Sequence, residues 1–250
     1  MVESDYYMKS TEKRFLIYKK ELKKKGISSF VKNRVQRIKD EFLYLSVRYL
    51  RPEKYFTYNG KKYQYLISRY NYSWKNERTI EVPLIYNHVL KVKKDKNILE
   101  IGNVLSHYYK VGHDIVDKYE KAPGVINEDV VKFQTKKKYD LIIAISTLEH
   151  VGWDERPQEP KKITPTLRHL KTLLKKDGKI LITLPIGYYN PFLNSEIINE
   201  KLKLNKRYYM RRTSILNKWE QVKLDEVKDV KYNSTFPNAN AILVGEISLS

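Results

Sequence analysis

Between positions 100 and 154, side chains that could do chemistry recur directly behind short apolar runs. Glu100 and Gly102 close the run begun by Ile98-Leu99, and Asp117 follows Ile115-Val116. Glu128-Asp129 follow Gly124-Val125-Ile126, while Ser146-Thr147-Leu148-Glu149-His150-Val151 follow Tyr139 to Ile145, with Asp154 a few residues on. Carboxylates at such places accept hydrogen bonds from hydroxyl or amino groups of a ligand, and a histidine titrates near enough to neutrality to act as a general base. Five scattered histidines without metal-ligand spacing, together with no cysteine at all, exclude disulfides, thiolate metal sites and cysteine nucleophiles and argue against zinc.

The elements that must position these residues follow from the runs themselves. Each is too short for a helix and rich in Ile and Val, the pattern of a strand buried on both faces of a parallel sheet. Polar residues stand at the carboxyl ends of three of the four runs, the edge at which an open α/β sheet binds its ligands. Beyond the fourth run, Gly152-Trp153-Asp154-Glu155 and the proline-bearing stretch Arg156 to Pro165 form a loop above that edge. Leu167, Leu170, Leu173 and Leu174 then mark an amphipathic helix, and Asp177-Gly178 turns the chain into a strand from Lys179 to Leu184. Pro185 to Pro191 leaves this strand at the same edge as a natural substrate wall. A helix near Ser195 to Leu204, a strand near Tyr208 and a last strand near Ile242 to Ile247 complete the chain, and a helix-free reversal between the last two predicts an antiparallel hairpin.

Ahead of this region, Thr11 to Lys25 reads as a helix ended by Gly26, with Ser28 or Ser29 able to cap the next one. Along that next helix Val31, Val35, Ile38, Phe42, Leu45 and Tyr49 recur at steps of four and three, a stripe that needs a partner surface. The catalytic domain, a second subunit or a membrane interface could supply it. Arg51-Pro52 ends the helix. Asn59-Gly60 between aromatic-rich segments predicts a β-hairpin. Tyr55, Tyr58, Tyr63, Tyr65, Tyr70, Tyr72 and Trp74 offer either a stacking platform or cover for a sheet edge. Thr79 is the expected N-cap of a helix carrying Val82, Leu84, Ile85, Val89 and Leu90.

The chain has 250 residues and a formal net charge of +20, unevenly spread. Residues 1–96 hold 24 basic against 10 acidic side chains, whereas residues 97–190 hold 15 against 12. A nucleic acid or an anionic surface could read the basic part. Lys outnumbers Arg 37 to 12, however, and phosphate recognition by planar forks favours Arg, so a Lys-rich or heat-adapted source explains the excess equally well. No apolar run approaches the ~20 residues that span a bilayer, and Met1 to Ser10 has no apolar signal core, so a cytoplasmic protein is expected.

Taken in order, Ile98-Leu99-Glu100-Ile101-Gly102, Asp117, Glu128-Asp129, Tyr139-Asp140-Leu141-Ile142 with Thr147-Leu148-Glu149-His150-Val151, and Leu174 to Lys179 before Ile180 to Pro185 resemble a class I S-adenosylmethionine-dependent methyltransferase. The likeness covers roughly residues 97 to 187. One departure is that the two further glycines usual after the first are replaced here by Gly102-Asn103-Val104-Leu105-Ser106-His107. Val104 is β-branched and ill suited to a positive φ, so the loop must take another path or the pocket is altered.

The resemblance implies a Rossmann-like α/β fold, with a mostly parallel seven-stranded sheet and helices on both faces, at residues 76–250. Residues 1–75 would be a basic helical and hairpin extension. It implies S-adenosyl-L-methionine as cofactor, with Asp117 on the ribose hydroxyls and Asp129, or Glu128 in its place, on the adenine amino group. Glu100 would hold the first loop or meet the methionine ammonium through water, Gly102 and Asn103 would form the turn beneath the ligand, and Arg78 would meet the carboxylate. For a small-molecule or sugar hydroxyl acceptor, His150 is the candidate base, with Asp154 and His113 in reserve; His150 could instead pack at a helix start and orient Glu149. Two alternatives stay open: an RNA methyltransferase using the basic extension, and a non-catalytic binding module. Expected partners are a small-molecule or glycan acceptor, weak nucleic-acid or anionic-surface contact through the extension, and a second copy through the N-terminal helices.

Overall fold

The computed structural model describes residues 31–32, 34–93 and 95–249. The helix expected at Thr11 to Lys25 and the caps at Ser28 and Ser29 lie outside the described residues. Residues 31–32 and 34–45 are helical (α1) and pass into a π-turn at Ser46–Leu50. Contacts divide the chain between Leu50 and Arg51, and Arg51–Ser250 forms one compact unit that includes the hairpin.

That unit is built on an eight-stranded sheet with β3 (Ile98–Ile101), β4 (Asp114–Val116), β5 (Val125–Ile126), β6 (Tyr139–Ile145), β7 (Leu174–Pro185), β8 (Lys206–Arg212), β9 (Trp219–Val222) and β10 (Ala241–Ser248). The strand order is β5-β4-β3-β6-β7-β10-β8-β9. The five strands from β5 to β7 pair in parallel, and β10 runs antiparallel between β7 and β8. This is the Rossmann-like arrangement, with eight strands where seven were expected. The eighth is β9, which pairs antiparallel with β8 at the sheet's edge through Arg212↔Trp219 to Tyr209↔Val222. Its sequence, Trp-Glu-Gln-Val, carries apolar residues only at its ends, so it has no strand-like alternation to read.

The side chains of β6 show why the sheet is covered twice. Ile142 and Ala144 join a core with Ile163, Leu167 and Leu170 of α3 (Ile163–Thr172) and Leu193 and Ile197 of α4 (Pro191–Ile198). Leu141, Ile143 and Ile145 point the other way, into a core with Ile80, Val82, Leu84 and Ile85 of α2 (Arg78–Lys91). Successive strand residues face opposite sides, so a run buried throughout requires helices on both. The hairpin of β1 (Tyr55–Tyr58) and β2 (Lys61–Gln64) sends Phe56, Tyr58 and Tyr63 into the α2 core. Its turn residues Asn59 and Gly60 both have positive φ, the geometry that an Asn-Gly pair favours.

Three local expectations are corrected. Thr79 does not cap α2, because its hydroxyl donates to Leu66 O instead, and Asn76 Oδ1 accepts from the Arg78 amide at the helix start. The strand predicted from Lys179 begins at Leu174, since Tyr139↔Leu174 pairing precedes a register shift in β6–β7. The helix predicted at Ser195 to Leu204 runs from Pro191 to Ile198, with the Asn190 side chain accepting from Leu193 N as its N-cap.

Candidate active site

From β3 the chain turns to β4 on one side, and β6 adds on the other. This reversal opens a crevice beyond the strands' carboxyl ends. A cavity of about 430 Å³ lies there, within the size range of small-molecule sites. Its walls come from the residues that leave four successive parallel strands: Gly102, Asn103 and Val104 after β3, Asp117 and Glu120 after β4, Glu128 and Asp129 after β5, and Ser146, Thr147, His150 and Asp154 after β6. Arg78, at the start of α2, completes the lining.

The altered glycine loop has a defined solution. Gly102 keeps its role: it takes φ +81°, and an added Cβ would collide with the Thr147 hydroxyl and come within 2.7 Å of Thr147 Cγ2. Val104 needs no left-handed geometry, since it sits at φ −107°, ψ −51° and starts a short 3₁₀ turn at Leu105–His107. The turn is held from below by Glu100, which is fully buried. Glu100 Oε1 accepts from the backbone amides of Val104 (2.9 Å) and Leu105 (2.8 Å), while Oε2 pairs with His113 Nε2 at 2.7 Å. A buried carboxylate thus holds the loop after β3 by hydrogen bonding. Glu100 and His113 do not line the cavity; His113 borders a separate hollow beside Tyr86, Lys110 and Lys137.

Asp117 braces two loops at once. Its Oδ2 accepts from Asn103 N at 3.0 Å, and its Oδ1 accepts from Tyr119 N and Glu120 N, both at 2.8 Å. Asn103 Nδ2 donates to Glu120 Oε1 at 2.7 Å. Three bonds use three of the carboxylate's four acceptor positions and leave one open, on a residue that lines the cavity.

Asp129 stands in a ring of charges. Lys118 Nζ (2.9 Å) and Lys162 Nζ (3.1 Å) both reach its Oδ2, and the same lysines reach Glu155 at 3.0 and 2.6 Å. Partial burial works against the charge of Asp129, but the two ammonium groups and the Val131 amide outweigh it and hold the carboxyl at about 2. An adenine amino group would therefore share Asp129 with two lysines. Sequence reading missed Lys118, Lys162 and Glu155, since lysines are too frequent in this chain to stand out.

At the end of β6 the backbone is strained. Ser146 takes φ +36°, uncommon for a residue with a side chain, and is pinned by its hydroxyl to Glu81 Oε1 (2.5 Å) and by its amide to Thr183 O (3.1 Å). Arg78 clasps this turn, donating to Glu81 (2.9 Å), Ile145 O (2.7 Å) and Ser146 O (3.2 Å). Burial opposes its charge, yet the neighbouring carboxylates, Glu81 first, outweigh that and raise its pKa. Glu149 has the opposite fate. Burial pushes its carboxyl well above the ordinary range, Arg78 only partly offsets this, and Glu149 Oε2 has no hydrogen-bond partner.

His150 and Asp154 come together as a pair, with Nδ1 to Oδ2 at 2.5 Å. The Tyr188 hydroxyl lies 3.2 Å from the same nitrogen, and Glu149 Oε1 lies 3.7 Å from Nε2. Tyr188 opens a cluster with Tyr189 and Tyr232, whose ring centroids are 5.2–5.5 Å apart. The loop after β7 is joined to the segment before β10 by the bond from Tyr232 N to Gly187 O. Sequence reading placed a substrate wall at Pro185 to Pro191, but nothing around Tyr232 singled it out.

No family model matches the sequence, and no curated protein does. Among solved structures, the chain is similar to an S-adenosylmethionine-dependent methyltransferase from Clostridium acetobutylicum, with 10% identity over 67% of this chain and 89% of that one and a TM-score of 0.35. It is also similar to a TehB-like SAM-dependent methyltransferase from Corynebacterium glutamicum, with 18% identity over 67% and 86% and a TM-score of 0.39. A third is the N-methyltransferase NodS from Bradyrhizobium japonicum in complex with S-adenosyl-L-homocysteine, with 13% identity over 60% and 76% and a TM-score of 0.35. All three are distant likenesses.

Proposed function

We propose that the chain is an S-adenosylmethionine-dependent methyltransferase acting on a hydroxyl of a small molecule or sugar. The observation that carries this reading is the convergence, at one crevice of the sheet, of the Gly102 turn with carboxylates that follow β4 and β5.

The residues present fit the cofactor. Ile101, Val104, Val116, Val130 and Val151 give the cavity apolar walls for a purine. The open acceptor position of Asp117 suits ribose hydroxyls, with Glu128 and Asp129 beside it for the adenine amino group. Arg78, also in the lining, offers positive charge for a carboxylate. When bound, the cofactor supplies a methyl group on a positively charged sulfur, passed on by in-line displacement.

What the chain itself does is align, exclude water and accept a proton. Alignment alone is worth roughly 7–11 kcal/mol of barrier in well-fitted cases. Asp154 fixes His150 by its Nδ1, leaving Nε2 as the nitrogen that takes the acceptor's proton. Tyr188, against this histidine, and Tyr189 and Tyr232, packed on Tyr188, offer the aromatic faces on which a sugar ring packs.

Calorimetry tests the reading with two variants. Asp117→Ala should lose about tenfold to ~150-fold in affinity for S-adenosylhomocysteine, as expected for a charge-assisted bond worth roughly 1.5–3 kcal/mol. His150→Ala should bind it as wild type does while turnover falls. Wild-type affinity in Asp117→Ala would show that the second strand's acid does not hold the ligand.

A further inference from the structure

We propose that α1 is a docking surface for an anionic lipid bilayer. The five residues Val31, Val35, Ile38, Phe42 and Leu45 fall within an arc of about 80° when each residue advances about 100° around a helix. All five are exposed, from 42% for Leu45 to 74% for Phe42. This is the stripe for which the sequence demanded a partner, and nothing in the methyl-transfer reading uses it.

The borders of the stripe indicate the partner. Lys32 and Lys39 lie along one side and Arg34 and Arg37 along the other, where Glu41 is the one acid among them, all on the exposed surface of the helix. A helix with a narrow apolar face bordered by basic side chains lies in a membrane interface, with its apolar side chains in the acyl boundary and its cations at the headgroups. Lysine and arginine suit this place because their alkyl stems run along apolar surface while the charge reaches water.

Other occupants fit less well. Two copies meeting stripe to stripe would bring borders of four basic side chains and one acid, Glu41, against each other, a net repulsion in either orientation. Residues 1–30 of the same chain hold eight basic against four acidic side chains, so they too carry the wrong sign. A nucleic acid would satisfy the charges but leave Phe42 and Ile38 in water. An anionic bilayer answers the apolar arc and the charge together.

The test uses the full chain and does not depend on enzymatic activity. Flotation with vesicles of phosphatidylcholine alone is compared with vesicles of phosphatidylcholine and phosphatidylglycerol. The wild type should float with the anionic vesicles and remain behind with the neutral ones. Each basic residue near an anionic surface contributes about fivefold to partitioning, so the triple variant Lys32→Glu, Arg37→Glu, Lys39→Glu should lose ~10²-fold or more. Phe42→Asp should abolish flotation while leaving the melting temperature and gel-filtration volume unchanged, because the side chain is exposed. Equal binding to neutral vesicles, no binding to either kind, or undiminished flotation of Phe42→Asp would overturn the proposal. So would a Phe42→Asp variant that melts lower, which would mean the chain's own N-terminal segment covers the stripe, or one that converts a dimer to a monomer.

Discussion

Replacing Glu100 with alanine should destabilise the protein severely, although Glu100 lies outside the cavity. The carboxylate accepts two backbone amides and pairs with His113 in a place fully shielded from solvent. Alanine would leave the amides of Val104 and Leu105 without acceptors, each at a cost of about 1–3 kcal/mol. Water entering the hole offsets part of this, leaving roughly 2–4 kcal/mol, and a domain of this size loses about 2–4 °C of Tm per kcal/mol. Thermal unfolding followed by circular dichroism should therefore show a fall on the order of 10 °C. Glu100→Gln keeps an amide oxygen for the two backbone donors and should lose much less. An alanine variant that melts with the wild type would refute the idea that this carboxylate holds the loop after β3.

Gly102→Ala forces a side chain into left-handed geometry at about 1–2 kcal/mol and drives it against Thr147. Adding Thr147→Ala should recover the steric part, which denaturant unfolding of both single variants and the double variant would measure; strict additivity would contradict the contact. Asp154→Asn should lower turnover more than it changes S-adenosylhomocysteine affinity, because its carboxylate is bonded to His150 Nδ1; His150→Ala should cost ~10²–10⁴-fold in rate. Glu149 gives a pH prediction. Its carboxyl is raised by burial, so between the ordinary carboxylate pKa and its own higher value the folded state holds a proton that the unfolded state has released. Stability must then fall as pH rises through that window, by up to about 1.4 kcal/mol per pH unit. Glu149→Gln removes that dependence, so the difference between variant and wild type in urea unfolding should grow from pH 5 to pH 7; parallel pH profiles would exclude a protonated Glu149.

The parallel strands were legible because burial on both faces leaves an unbroken apolar run, as in Tyr139 to Ile145, and a ligand edge leaves acids behind it. The Asn59-Gly60 turn was legible because only such a pair adopts two positive φ angles cheaply. What stayed hidden was set by tertiary contact. Trp219–Val222 is a strand only because Arg212 to Tyr209 offers it an edge. Thr79 looks like a cap until Leu66 O, thirteen residues earlier, takes its hydroxyl. In the site, Gly102, Asn103, Asp117, Glu128, Asp129, Arg78, His150 and Asp154 all line one cavity. No local pattern could show that Lys118 and Lys162 would claim Asp129, or that Tyr232 would join Tyr188 from more than forty residues away.

The most direct measurement is a calorimetric titration of the full chain with S-adenosylhomocysteine at neutral pH, run beside Asp117→Ala. A saturable one-to-one isotherm for the wild type, weakened at least about tenfold in the variant, is the predicted result. A wild type that shows neither heat nor thermal stabilisation at millimolar ligand would contradict the assignment of this cavity to the cofactor.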